Sequence, residues 1–468
     1  MSIVIGVDSS TQSCKVLAVD IDSGRIVSSA SAPHPDGTSI NPERWDAALD
    51  KAWNDAGIRN LGQEVSGVSV AAQQHGMVAL DAQNQPVHDA LLWNDTRSAD
   101  AAGQMVKEIG AQAWIDAVNL VPVASFTLTK LAWLAQNKPA LAAKVAHVLL
   151  PHDYLNYRLT GEFFTDRSDA SGTAYYSPVT GEYRTDLLEQ FFGAVPALPP
   201  VLGPAETGGN LLDRWGTNRA VAGAGAGDNA AAALGLGLNP GEVVVSVGTS
   251  GTVFTSAVEP VRDPSGAVAG FADATGQHLP LLAMINCARV MTATAAMLDV
   301  NLPELDRLAL AAAPDAGGLT LLPYLDGERT PNLPDARGSL TGMTRENMTP
   351  CNLARAGVLA VLNSLADAQE LLRAKGVPVD KVILIGGGSK SRSLRQAAAD
   401  IFGVPVEVPA AGEYVALGAA RQAAWAVTGE LLDWKPVTAA AHEPDPLGGW
   451  GAEVRGRYAE ARQAVYGI

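Results

Sequence analysis

The sequence predicts a duplicated, two-domain α/β protein, and three observations carry that expectation. The chain has 468 residues, too many for one ordinary hydrophobic core. Apolar, strand-like runs closed by Gly, Ser or Thr turns alternate with helix-like stretches along the whole length. Two hairpin patterns recur at half-chain spacing, VIGVDSSTQSCKVLAVD near the start and VVVSVGTSGTVFTSAVE in the second half, with Val7 falling on Val247. Each has an apolar strand, a small-residue turn and a second apolar strand. Two such units opening two halves of a chain point to an internal repeat, with domains expected at 1–239 and 240–468.

Composition narrows the class of protein. The chain is 47% hydrophobic and 18% charged, without a long charge block, as in ordinary globular domains. A net charge of −16 and a pI near 4.9 argue against nucleic acid or an anionic membrane as partner. Cys14, Cys287 and Cys351 lie far apart with no CxxC or Cys/His spacing, so neither a disulfide framework nor a structural zinc site is expected. No apolar run reaches the roughly 18 residues of a membrane span, and no basic leader with an apolar core precedes the first strand. The expected compartment is the cytoplasm.

Taken in order, residues 3–33 read as a three-stranded meander. Asp8 ends its first strand, and Ser9, Ser10, Thr11 and Ser13 fill the first turn. Such a turn offers hydroxyls and backbone N–H groups to an anion, and Asp8 offers a hard ligand to a metal ion. A helix is expected from Trp45 to Ala56 and a buried strand from Val65 to Ala72. That strand runs into Gln73, Gln74 and His75, three hydrogen-bonding side chains suited to a polyol. Trp93, Asn94, Asp95 and Arg97 crowd the next polar stretch. Helices follow at 98–117, 129–142, 152–160 and 185–192, then an irregular Pro- and Gly-rich connection from Gly193 to Gly209.

The stretch RAVAGAGAGDNAAAALGLG, from Arg219 to Gly237, combines a short strand, a turn with Gly223, Gly225 and Gly227, and an alanine-rich helix. Asp228 is expected as its N-cap, where the helix dipole favours an ionised carboxylate. The second hairpin follows at 241–259. Helices are then expected near 288–300 and 303–312, from Asn352 to Lys375, from Glu413 to Val427 and from about 450 to 466. KVILIGGGSKSRSLRQAAADIFG, beginning at Lys381, reads as strand, glycine turn and helix. It lacks the GxxxxGK[ST] pattern of a P-loop. The GAGAG turn likewise lacks the third glycine of a dinucleotide fingerprint, which must stand three residues after the second.

Together these features form a set: two hairpin loops for phosphates, a bare glycine turn broad enough for a nucleobase, two isolated carboxylates and a polar cluster at 73–97. Phosphoryl transfer from ATP to a hydroxyl needs such a set. The nucleotide requires backbone donors and a divalent ion, and the attacking hydroxyl requires a carboxylate to take its proton.

The motifs resemble those of the FGGY carbohydrate kinases, within the actin/hexokinase/Hsp70-like (ribonuclease H-like) superfamily. VDSSTQSCK is similar to the family's first phosphate hairpin, SVGTSGTVF to its second and SFTLTKLAWLAQN to its first signature. LIGGGSKSRSLRQAAADIFGVPV is similar to the adenosine segment, and GAGDNAAAALGLG to the segment with the catalytic Asp. The second signature, GSLTGMTRENMTPCNLARAGVLA, departs at Gly357, where a larger residue is usual, and at Leu359, where an acid or Gln is usual. QQHGM, ALLWNDTRS and LPYLDGERTP resemble segments of the members that act on D-xylulose, and look less like those that act on glycerol.

The resemblance implies a two-domain fold around a nucleotide cleft, with ATP and Mg²⁺ as cofactors and a small sugar as substrate. It implies Asp228 as general base toward the C5 hydroxyl of D-xylulose and Asp8 as metal ligand. Ser10, Thr11, Gly248 and Thr249 would serve at the phosphates, and Gly386, Gly387 and Gly388 at the adenosine. Gln74 and His75, with Asp95 and Asn229, would contact the sugar. The N-terminal domain would then carry the sugar site and the base, the C-terminal domain the adenosine. Ribulose, L-xylulose and gluconate are alternative substrates within the family, and an actin-like ATPase is the alternative outside it. Homodimers are common in such families.

Overall fold

The structure is a computed structural model and describes residues 2–217, 219–446 and 449–468. It divides into two compact units. The first comprises the chain up to Leu238 together with Ala257–Leu279 and Gly412–Pro436. The second comprises Asn239–Ser256, Pro280–Ala411 and Val437–Ile468.

The first unit is built on β1 (Ser2–Ser9), β2 (Ser13–Asp20), β3 (Ile26–Pro33), β4 (Glu64–Ala72), β5 (Thr207–Asn210) and β6 (Val221–Gly223), in the order β5-β6-β4-β1-β2-β3. β1, β2 and β3 form the expected antiparallel meander, and β1, β4 and β6 run parallel. The pleat of β1 explains why it sits centrally, since successive side chains point to opposite faces. Ile3, Ile5 and Val7 enter one core with Trp45 and Trp53 of α1 (Glu43–Asp55). Val4 enters another with Ala416, Ala420 and Ala423 of the helix Tyr414–Thr428. Gly6 faces that helix, where a Cβ would lie 1.9 Å from the Ala416 carbonyl oxygen. A bare backbone is what lets the helix seat on the sheet.

Three further helices place the functional segments of this unit: α2 (Thr127–Asn137), α3 (Pro151–Thr160) and α4 (Asp228–Leu236). α4 crosses the helix Tyr414–Thr428 at a pair of glycines. A Cβ at Gly235 would lie 2.1 Å from the Tyr414 carbonyl oxygen, and one at Gly418 would lie 1.9 Å from that of Ala231. The helix expected at 98–117 is two helices, Ala99–Ile109 and Ala111–Val118, parted at Gly110 with φ of 88°. Within the irregular connection, Val201–Leu202 pairs in parallel with Thr165–Asp166.

The second unit repeats the plan. β7 (Glu242–Val247), β8 (Gly251–Phe254), β9 (His278–Met284), β10 (Lys381–Ile385), β11 (Val406–Pro409) and β12 (Thr438–His442) follow the order β9-β8-β7-β10-β11-β12. β7 pairs antiparallel with β8 and parallel with β10, as β1 does with β2 and β4. β12 closes the edge antiparallel to β11, as β5 does beside β6. The helix Pro350–Ala374, capped by Thr349, carries the departures at Gly357 and Leu359. A Cβ at Gly357 would come within 2.7 Å of Thr294 Oγ1 on the helix Ala288–Met297, and Leu359 is buried. Small and apolar residues there belong to a tight helix contact. Among the described residues, no helix is long and apolar enough to cross a membrane, and all three cysteines are free.

Candidate active site

In the first unit, the carboxyl ends of neighbouring parallel strands bring the chemistry together. This is where open α/β sheets hold ligands, because the strands stop and their loops diverge. β1 ends at Ser9, opposite Ala72 at the end of β4, and Ala226–Gly227 pairs with Ala71 and Ala72 on the other side of β4. Asp8, Gln73–His75 and Asp228 therefore emerge at one end of three adjacent strands.

Asp8 is buried and opposite Lys15 in the hairpin register. Its Oδ2 lies 3.9 Å from Lys15 Nζ, which donates to Glu413 Oε2 at 2.5 Å, while Asp8 Oδ1 has no hydrogen-bond partner. Burial pushes the carboxyl up to about 7. Lys15 opposes that rise, and the charges of Asp228 and Glu413 add to it. An orphaned carboxylate oxygen at a strand end suits a hard divalent cation. The turn beside it is internally tied: Ser10 Oγ donates to the Ser13 carbonyl at 3.1 Å, and Thr11 Oγ1 accepts from Trp93 Nε1 at 2.9 Å.

Asp228 corrects an expectation. Gly227, extended at φ −64° and ψ 152°, is the N-cap of α4, and Asp228 is its first helical residue. The reason is the strand pairing, which carries the extended backbone through Gly227. Asp228 Oδ1 accepts from the Asn229 backbone N–H and from Asn229 Nδ2, both at 2.8 Å. The residue as a whole is only partly buried. The protein around it nevertheless strips enough water to push its pKa to about 6, against the lowering effect of the bonds from Asn229. Desolvation outweighs the helix start.

The glycine turn ahead of Asp228 is shaped by what lies under it. Gly225 has φ of 82°, a left-handed conformation, and a Cβ there would lie 2.0 Å from His152 Nε2. His152, fully buried on α3, bonds through Nε2 to the Ala224 carbonyl and through Nδ1 to Asp153 Oδ1, both at 2.9 Å. Burial works to discharge it, but Asp153 and Asp166 outweigh burial and raise its pKa above the ordinary imidazole value. His152, Asp153 and Asp169 are clustered closely enough for a metal. With both ring nitrogens engaged, however, His152 has no lone pair to give one.

Gln74 is buried and donates to the Ser168 carbonyl at 3.3 Å. His75 has φ of 71°, the sort of local strain that collects at functional sites. Its ring meets Phe126 edge-on at 5.0 Å and Phe271 at 5.3 Å, and its carbonyl accepts from Thr127 Oγ1. Asp95 is buried with both oxygens engaged, Oδ1 by Arg97 and Oδ2 by Thr38. Its segment reaches the hairpin through Trp93 and Thr11. Lys130 of α2 is fully buried and bonds to the carbonyls of Ala124 and Ser125. Burial lowers it to about 7, with Asp95 acting in the opposite direction. Sequence reasoning gave no role to Lys130, His152, Asp166, Ser168 or Asp169. Charged and hydroxyl residues inside apolar runs, as in TDRSDASGT, were the available signal.

In the second unit, the turn from β7 to β8 carries Gly248 and Thr249, and the Gly248 carbonyl accepts from Ala288 N at 2.9 Å. Gly386 to Gly388 follow β10 directly and pack on Val247. A Cβ at Gly388 would lie 2.3 Å from Val247 Cγ1, whereas one at Gly387 would meet open space. The parallel pairing of Ser246 with Ile385 is what brings these two turns side by side.

A duplicated α/β frame with carboxylates at the strand ends of one half and bare glycine turns at those of the other fits a sugar kinase. The chain belongs to the FGGY family of carbohydrate kinases: residues 3–235 match the family's N-terminal domain and 243–427 its C-terminal domain. It is thus a phosphotransferase with an alcohol group as acceptor. The xylulose kinase of Streptomyces coelicolor is 45% identical over 437 residues, covering 92% of this chain and 89% of the relative. That of Escherichia coli is 34% identical over 435 residues, covering 90% and 89%. The crystal structure of xylulose kinase from Bifidobacterium adolescentis is 42% identical with a TM-score of 0.91, over 98% of this chain and 99% of that one.

Proposed function

We propose that this chain transfers the γ-phosphate of ATP to the C5 hydroxyl of D-xylulose, with Asp228 as general base. One observation carries the reading: Asp228 and Asp8 emerge beside Gln74 and His75 at the ends of three adjacent strands, in a chain that covers 89% of the Streptomyces coelicolor xylulose kinase. The sugar hydroxyl gives its proton to Asp228 and its oxygen bonds to the γ-phosphorus. The bond to the leaving oxygen breaks, and ADP departs. With a pKa of about 6, Asp228 is ionised at neutral pH yet basic enough to accept the proton. Asn229 holds the carboxylate through Oδ1, which leaves Oδ2 to face the hydroxyl.

Ser10, Thr11, Gly248 and Thr249 take the phosphates, and Gly386, Gly387 and Gly388 the adenosine. The open space over Gly387 supports that role. Asp8 would hold Mg²⁺, directly or through its waters, and the ion would supply neutralisation of charge on the transferring group. The orphaned Oδ1 of Asp8 is the feature that fits it. Gln74 and His75 contact the sugar. Asp95 sits in the same region, and its contribution is to hold Arg97 and Thr38. The cytoplasm, where ATP is supplied and thiols stay reduced, is the proposed compartment. A homodimer is proposed on family likeness alone, to be checked by sedimentation.

The test is ADP release measured over D-xylulose, L-xylulose, D-ribulose, gluconate and glycerol. D-Xylulose is expected to give the highest kcat/KM. A higher value for any other sugar would overturn the substrate, and sugar-independent release at the full rate would overturn the kinase reading in favour of an ATPase.

A further inference from the structure

We propose that Ser168 is a positioning residue for phosphoryl transfer, locking the backbone ahead of Asp228 and the carboxamide of Gln74 to one point. The inference rests on Asp228 being the base. Ser168 is fully buried in the short turn Arg167–Ala170. Asp166 caps that turn: its Oδ2 accepts from the Ser168 N–H and from the Ser168 hydroxyl, both at 2.6 Å, and its Oδ1 accepts from Asp169 N at 3.0 Å. A hydroxyl has one proton and two acceptor sites. With the proton committed to Asp166, Ser168 Oγ must face its other neighbour as an acceptor, and that neighbour is the Gly227 N–H at 3.0 Å. The polarity of the chain from Gly227 through Ser168 to Asp166 is therefore set. Gly227 immediately precedes Asp228, so the bond fixes the Ala226–Gly227 peptide, one residue ahead of the base.

The same residue reaches the sugar side. The Ser168 carbonyl accepts from Gln74 Nε2 at 3.3 Å and from Ser171 Oγ at 2.7 Å. Ser171 Oγ in turn accepts from Ala272 N at 3.0 Å, next to Phe271, whose ring lies against His75. Gly172 leaves room for that imidazole, since a Cβ there would lie 2.1 Å from His75 Nδ1. The Thr173 carbonyl accepts from Leu128 N at the start of α2, beside the Thr127 that bonds to His75. One turn thus references the base, the amide and the imidazole to each other. Rate follows such geometry steeply, a displacement of about 1 Å costing roughly 10²-fold.

The test compares Ser168→Ala, Ser168→Thr and Asp166→Asn in the full-length enzyme, with ADP release at saturating D-xylulose and thermal unfolding as a check on folding. Ser168→Ala is expected to lower kcat by about 10- to 100-fold with the KM for ATP within about twofold. Ser168→Thr, which keeps the hydroxyl, should recover most of the rate. Asp166→Asn, which sets an amide NH2 against a backbone N–H of the turn, should lower kcat in the same direction by less. A folded Ser168→Ala enzyme with normal kcat, while Asp228→Ala is inactive, overturns the role of Ser168 alone. Near-normal turnover by Asp228→Ala overturns the base on which it rests. If Ser168→Ala does not fold, a normal kcat in folded Asp166→Asn overturns the inference.

Discussion

The hairpins β1–β2 and β7–β8 stand in the same place in sheets of the same strand order, yet they carry different chemistry. Asp8 closes the first strand with a buried carboxylate, whereas the matching position of the second hairpin is Gly248, preceded by buried Val247. Beside the first hairpin lies a second carboxylate, Asp228, close enough to raise the pKa of Asp8. Beside the second lie Gly386 to Gly388, packed on Val247. A repeated frame supplies equivalent strand ends, and the residues placed there decide which half handles protons and cations and which offers bare backbone. In the proposed reaction, the first half does the chemistry and the second holds the nucleotide.

The strongest way to break that division is to remove the base. Asp228→Ala should lower kcat by about 10²–10⁴, the range for a general base, while the KM for ATP stays near its normal value. Equal losses in both would assign Asp228 to nucleotide binding instead. Asp8→Asn comes next, with an expected loss of about 10² in kcat and a weakened response to Mg²⁺. An unchanged Mg²⁺ titration would return Asp8 to a turn residue. In the second half, Gly388→Val puts branched carbons against Val247. It should raise the KM for ATP by about tenfold through displacement of the turn, leaving the KM for the sugar alone. A sugar-selective effect would erase the contrast between the halves.

Two pH measurements sharpen the comparison. kcat should fall as pH drops through about 6, because protonated Asp228 accepts nothing. An acid limb below 5 would mean that burial does not govern this group. The smallest effect concerns stability. The pKa of Asp8 is about 7 in the folded protein, above its ordinary value of 3.8. The stability contributed by its neutral form is therefore complete below about 4 and lost as pH rises through about 7. Asp8→Asn, permanently neutral, should unfold at a temperature about 2–4 °C above wild type at pH 8 and at nearly the same temperature at pH 4. A lower melting temperature for Asp8→Asn at pH 8 would show that the attraction of Lys15 outweighs burial.

Much of the frame was legible because it is written locally. The helix at 185–192 and that from 450 to 466 fall where their apolar spacing puts them, and both hairpins close on their small-residue turns. The split of 98–117 was written in Gly110 and passed over. The turn Arg167–Ala170 was opaque for a different reason. Ser168 meets Gly227 59 residues further on and Gln74 94 residues back, and no spacing within TDRSDASGT points to either. Nor could a run such as Tyr414–Thr428, alanine-rich on most sides, declare that it covers β1 rather than a strand of its own half.

The sequence by itself determined the duplication, the two glycine turns and the identity of the residues with chemistry to offer, since each depends on the order of neighbours along the chain. The tertiary structure alone decided what those residues became. Strand pairing with Ala72 moved the cap of α4 from Asp228 to Gly227. The helix start favours an ionised Asp228, but the loss of water around it raised its pKa to about 6. Desolvation is a property of everything packed near a group, drawn from all parts of the chain, and so it becomes fixed only when the chain has folded.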